Sequence, residues 1–168
     1  MKFEYTPVFP QQREHTKYRK LTSDHVTEVR CRGEKFLRVE PEALRLLARE
    51  AFSLVNFYFR TSHLENLAAI LDDPEASKND RFVAASLLKN AVISAEGLLP
   101  LCQDTGTANI IGYKGERVLT GAEDARYLSR GVFEAYTGLN LRASQNAPLS
   151  ILEEKNTGNN LPAQVEIF

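Results

Sequence analysis

LLPLCQDTGTANIIGYKGERVLT (Leu98–Thr120) is where the chain changes character, from helical periodicity before it to loop and strand within it. The segment is expected to form a loop followed by two short strands around Lys114–Gly115. Working back from it, residues 79–95 carry a helix that stops at Gly97. A shorter helix is expected over Ser62–Leu71, with Ser62 as its cap and Glu65 at the third helical position, ended by Asp72-Asp73-Pro74. The longest helix begins at Pro41, a residue suited to the first helical position, and runs free of Pro and Gly to about Arg60. Leu44, Leu47, Ala48, Ala51, Leu54 and Val55 give it a stripe wide enough to predict covering on more than one side.

Before these helices, Thr27, Val29 and Cys31 alternate with Glu28, Arg30 and Arg32. Gly33 then precedes the run Phe36–Val39, a hairpin signal that places Cys31 as a core-facing thiol. After Thr120, Gly121–Asn140 is helical, with Leu128, Val132, Ala135, Tyr136 and Leu139 on one face. Leu141–Asn160 is polar, Asn-rich and irregular, and a stretch of that length is uncommon unless it lines a site. PAQVEIF (Pro162–Phe168) has strand character and ends on apolar residues, a hint of truncation. The fold class expected is therefore α+β: an N-terminal hairpin, a helical first half, then a small sheet with a covering helix.

Composition narrows the function. With 168 residues, 43% hydrophobic and 26% charged, the chain can build a core and is neither disordered nor a disulfide scaffold. No repeat or linker divides it, so residues 1–168 form one unit. A net charge of −1 with interspersed signs argues against a nucleic-acid partner. No apolar run spans a bilayer and no signal-peptide core is present, so a soluble, cytoplasmic protein is expected. Cys31 and Cys102 are too few for a disulfide framework and are better suited to buried thiols, metal ligands or nucleophiles.

Chemistry concentrates in Leu101-Cys102-Gln103-Asp104-Thr105-Gly106-Thr107. A thiolate can hold a soft metal there while the neighbouring amide, carboxylate and hydroxyls orient a ligand. A small buried thiol followed by an ordinary turn explains the same residues. Arg142 is the second candidate, because a guanidinium grips a carboxylate through two parallel hydrogen bonds; a surface arginine beyond a helix end is the bland alternative. For Asn156–Pro162, NTGNNLP, plain turn chemistry is preferred to a ligand loop. His15, His25 and His63 show no ligand spacing and are expected to be solvated.

Two segments, Leu98–Gly115 and Asn140–Phe168 (NLRASQNAPLSILEEKNTGNNLPAQVEIF), closely resemble the class I, iron–sulfur-dependent fumarases. KLTSDHV, PEALRLLAREAF and LDDPEASKNDRFVA extend the resemblance along nearly the whole chain. CQDTG is shared with the related tartrate dehydratases, whereas QNAPL and NTGNNLPAQ look more like fumarase.

The resemblance implies a hydro-lyase of the tricarboxylic acid cycle that hydrates fumarate reversibly to (S)-malate at a [4Fe–4S] cluster. That cluster is held by three cysteines and leaves one iron open as a Lewis acid. Matched motif to motif, Cys102 is one cluster ligand, Gln103 and Arg142 bind substrate, and Asp104 takes part in proton transfer. The other two cluster cysteines have no counterpart here, since Cys31 lies outside any matching motif. The chain is thus expected to be an N-terminal part of the enzyme, inactive alone and without a cluster, from a homodimeric parent. The alternatives are another dicarboxylate hydro-lyase, such as the alpha chain of L(+)-tartrate dehydratase, and a non-catalytic association module.

Overall fold

A computed structural model describes residues 3–7, 18–121 and 123–168, and His15 lies outside them. The architecture is α+β. Strands β1 (Val26–Cys31) and β2 (Glu34–Val39) form an antiparallel hairpin in the register Val26↔Val39 to Cys31↔Glu34. Its two-residue turn, Arg32-Gly33, has φ of 50° and 85°, the doubly left-handed conformation that matches the twist of the flanking strands. Cys31 corrects the expectation of a core-facing thiol. It shares a strand face with half-buried Val29, yet at the turn end of β1 it is exposed.

Helix α1 (Pro41–Phe57) starts on Pro41 as expected. Helix α2 (Thr61–Asp72) starts one residue before Ser62, after extended Arg60, so Ser62 is inside the helix rather than its cap. The cap that does form belongs to α3 (Lys78–Ser94). Ser77 Oγ accepts from Asp80 N–H at 3.1 Å, and the Asp80 carboxylate accepts from Ser77 N–H at 2.9 Å. Helices α2 and α3 pack on each other as a helical hairpin.

Beyond α3, β3 (Asn109–Gly112) and β4 (Val118–Leu119) flank Lys114–Gly115 as predicted, but they enter different sheets. β4 lies parallel to β2, while β3 lies parallel to β7 (Gln164–Ile167), in register from Asn109↔Gln164 to Gly112↔Ile167. Helix α4 (Asp124–Gly138) belongs to the long crossover between β3 and β7 and touches β7. The irregular stretch Leu141–Asn160 contains one small antiparallel hairpin, β5 (Asn146–Pro148) with β6 (Glu154–Asn156).

The main packing contact is α1 against α4. Leu128, Val132, Ala135 and Tyr136 are buried, the stripe read from sequence, and Gly131 lies among them. A Cβ on Gly131 would stand 2.4 Å from the Arg45 carbonyl oxygen and 2.7 Å from Ala48 Cβ, so the helices cross where neither can carry a larger side chain. Arg45 stitches the crossing by pairing with Glu42 on its own helix and Glu134 on α4. The wide α1 stripe is covered on this one side only: Ala48 is buried, whereas Leu47, Leu54 and Val55 are exposed.

Gly131→Ala should therefore destabilise the chain, by about 1–3 kcal/mol for overpacking against backbone. Gly138→Ala, at an exposed site with open space around the Cβ position, should stabilise it by roughly 0.5–1 kcal/mol through lost unfolded-state freedom. Urea unfolding of the two variants would show midpoints moving in opposite directions; an unchanged or raised midpoint for Gly131→Ala would contradict the close crossing.

Candidate active site

The core cluster of Phe57, Ala108, Val132, Tyr136 and Leu141, with Leu161 packed against it, anchors three loops at once. Ala108 closes the Cys102 loop, Leu141 opens the Arg142 loop, and Leu161 follows the Asn-rich run. Apolar side chains at the loop ends thus hold polar loop centres over one core, so the chemistry-bearing residues sit at the surface without floating free of the fold.

The Cys102 loop is fixed at its entry. Leu101 N–H donates to the Asn56 carbonyl at 2.8 Å, one of the carbonyls left open at the end of α1. The Leu101 carbonyl in turn accepts from Asn90 Nδ2 on α3 at 2.8 Å. Cys102 itself is exposed, and the Asp104 N–H points at its Sγ at 3.3 Å. Gln103 and Asp104 are exposed as well. The chain turns at Gly106, whose φ of 54° is the left-handed conformation that glycine adopts without strain.

Thr105 joins this loop to the second candidate. Its hydroxyl donates to the main-chain carbonyl of Arg142 and lies 2.8 Å from Ser144 Oγ. Two residues on, Thr107 Oγ1 donates to Gln145 Oε1 at 2.9 Å. The sequence-selected segments thus meet, and Arg142 is held by its backbone. Its side chain is exposed and makes no ion pair among the described residues. Beneath Thr105 lies Tyr136, whose phenol burial pushes above its usual range, against the pull of a hydrogen bond with Thr105.

The third segment corrects the preference for plain turn chemistry in NTGNNLP. Asn156 and Asn159 do make local turns, their side-chain oxygens accepting from Gly158 N–H at 2.8 Å and Leu161 N–H at 3.0 Å. Asn160 does something else. It is fully buried, with φ of 57°, and its Oδ1 accepts from Ser144 N–H at 2.8 Å and Gln145 N–H at 2.9 Å. Its Nδ2 donates to the Gly106 carbonyl at 2.9 Å. Asn156 Nδ2 adds a bond to the Ala143 carbonyl at 2.9 Å. Nothing in the sequence pattern singles out Asn160 beyond the Asn-rich composition of the run; Thr105 lies in the selected loop, but its hydroxyl serves the Arg142 segment.

The donor set can be compared with what a soft metal centre needs. Cys102 fits as a single thiolate ligand: it is exposed, sits in a polar loop and already receives an N–H on sulfur. Among the described residues no group of three or more His, Cys, Asp or Glu converges to hold a metal ion. No helix among the described residues is long and apolar enough to cross a membrane.

The α+β unit presents a thiol, an amide and a carboxylate in sequence beside a backbone-anchored arginine. Residues 45–168 match the fumarate hydratase (Fumerase) family, and the chain belongs to that family. It is 51% identical over 166 residues to the aerobic class I fumarate hydratase of Escherichia coli (strain K12) and 52% identical over 166 to the anaerobic class I enzyme of the same strain. It is 50% identical over 169 residues to fumarate hydratase 1, mitochondrial, of Leishmania major. These alignments cover 99% of this chain but 30–31% of each relative, so the chain spans about a third of the length of the curated relatives it matches.

The Tyr136 phenol gives the loop base a pH signature. A group whose pKa is raised by folding lends stability that is complete below its unfolded value, near 10, and is lost as pH rises through the folded value. Wild type should therefore lose urea resistance more steeply than Tyr136→Phe above about pH 10. Parallel curves would show that the phenol ionises as freely in the fold as outside it.

Proposed function

We propose that the chain supplies part of the active site of a class I fumarate hydratase, which adds water reversibly to fumarate to give (S)-malate. The observation that carries this reading is the junction of the Cys102–Gln103–Asp104 loop with the Arg142 segment through Thr105, in a chain about half identical to enzymes named for that reaction. A [4Fe–4S] cluster, held in part by Cys102, would supply Lewis acidity toward the hydroxyl that is lost or added.

Each residue of this chain then has a separate task. Cys102 provides one thiolate, with the Asp104 N–H compensating charge on sulfur. The Arg142 guanidinium, free of internal ion pairs among the described residues, takes one substrate carboxylate through two parallel bonds. Gln103, beside the ligand, offers its amide to the substrate, and Asp104 exchanges the proton at the carbon next to the departing hydroxyl. Further thiolates and a partner for the second carboxylate come from the rest of the assembled protein, whose homodimeric form belongs to the same reading.

Division of labour predicts divided kinetics in the full-length protein. Arg142→Ala should raise the KM for fumarate by about 10- to 100-fold, the loss expected for hydrogen bonds between charged groups. Asp104→Asn should instead lower kcat by about 10²- to 10⁴-fold, the usual contribution of a proton-transfer group. Steady-state assays under anaerobic conditions distinguish the two, and a kcat defect for both with KM unchanged would remove Arg142 from the substrate.

The isolated 168-residue chain, with one candidate thiolate, should retain no stoichiometric iron and sulfide after anaerobic reconstitution and should not turn over fumarate. Iron and sulfide at full occupancy in that chain would overturn the ligand assignment.

A further inference from the structure

We infer that Asn160 is a positioning residue: its one carboxamide sets where the Cys102 loop stands relative to the Arg142 loop. The assignment rests on the reading of those two loops as one site. The amide has one acceptor oxygen and two donor hydrogens, and here the two ends serve different loops. The oxygen takes two consecutive N–H groups, Ser144 and Gln145, two and three residues after Arg142. The nitrogen holds the carbonyl of Gly106, two residues after Asp104. An Asn flip would place donors against donors and an acceptor against a carbonyl, so these partners dictate the orientation.

Burial makes the constraint stiff. Asn160 is 0% exposed, so water cannot replace the amide for any of its three partners. Its left-handed backbone, φ 57°, is a conformation that asparagine tolerates better than most other side chains. Leu161 and Ala163, packed on the core just beyond it, hold the residue in register. The direct Thr105 links to Arg142 and Ser144 then act within a spacing that Asn160 sets.

A purely space-filling residue and a two-ended clamp respond differently to substitution. Asn160→Asp keeps the oxygen that accepts from Ser144 and Gln145 and removes the donor to Gly106. Asn160→Leu keeps the bulk and removes both ends. By NMR on the isolated chain without substrate, Asn160→Asp should leave the Ser144 and Gln145 amides slow to exchange with deuterium. The Thr107 amide, which follows the released Gly106 carbonyl, should change its nitrogen resonance in the same variant.

Asn160→Leu should speed exchange at Ser144 and Gln145 by about 10- to 100-fold, the effect of losing a buried hydrogen bond. Unchanged exchange and resonances in Asn160→Leu, or equal disturbance of both loops in Asn160→Asp, would overturn the assignment. If neither variant folds, the unaltered chain decides: Ser144 and Gln145 amides exchanging as fast as exposed ones would contradict the clamp, and slow exchange would uphold it. Because no substrate or cluster enters this test, a failure here is distinct from a failure of the fumarase reading.

Discussion

The carboxamide of Asn160 is the point on which the rest of the site depends. Three segments without regular secondary structure at their centres converge there, separated in sequence by 16 residues for Ser144 and 54 for Gly106. Loops of this kind carry backbone groups that a helix or sheet would otherwise satisfy, and each buried group left unpaired destabilises the fold. One side chain with an acceptor at one end and a donor at the other settles three of those groups and fixes a distance at the same time. Cys102, Gln103, Asp104 and Arg142 can then be exposed, as chemistry requires, while the main chain behind them is held.

Beneath the loops the support is apolar and closely packed. Gly131 lets α4 approach α1 to backbone contact, and the same face of α4 carries Val132 and Tyr136 into the cluster that holds Ala108, Leu141 and Leu161. Helix crossing, core and loop anchors are therefore successive parts of one stack. Tyr136 belongs to the core layer, its ring packed in the cluster and facing Phe52 of α1. The loop main chain is thus held at its base, and the side chains of Cys102, Gln103, Asp104 and Arg142 are exposed at the rim.

Much of this was legible in the residues themselves. The α4 stripe, the Gly33 hairpin and Pro41 at the head of α1 each express a local rule, and each was found within a few residues. Ser62 misleads because a capping motif also fits residues one step inside the helix, while the box that forms is Ser77–Asp80 at the head of α3. Cys31 was misplaced because alternation gives the face of a strand but not how far along it the packing extends. Strands β3 and β4 were found but not their partners, since parallel pairing across a crossover leaves no local trace.

The site shows the same division. Cys102 and Arg142 stood out by residue type, and the resemblance assigned them roles; Asn160 was hidden in a run of asparagines because its partners are tertiary. The measurement that tests the central claim most directly is anaerobic hydration of fumarate by the full-length protein beside its Cys102→Ser variant, with bound iron assayed in both and L-tartrate as control. The account predicts fumarate turnover that is lost in the variant together with its iron. Turnover and iron that survive Cys102→Ser would contradict it, and preference for L-tartrate would contradict the substrate.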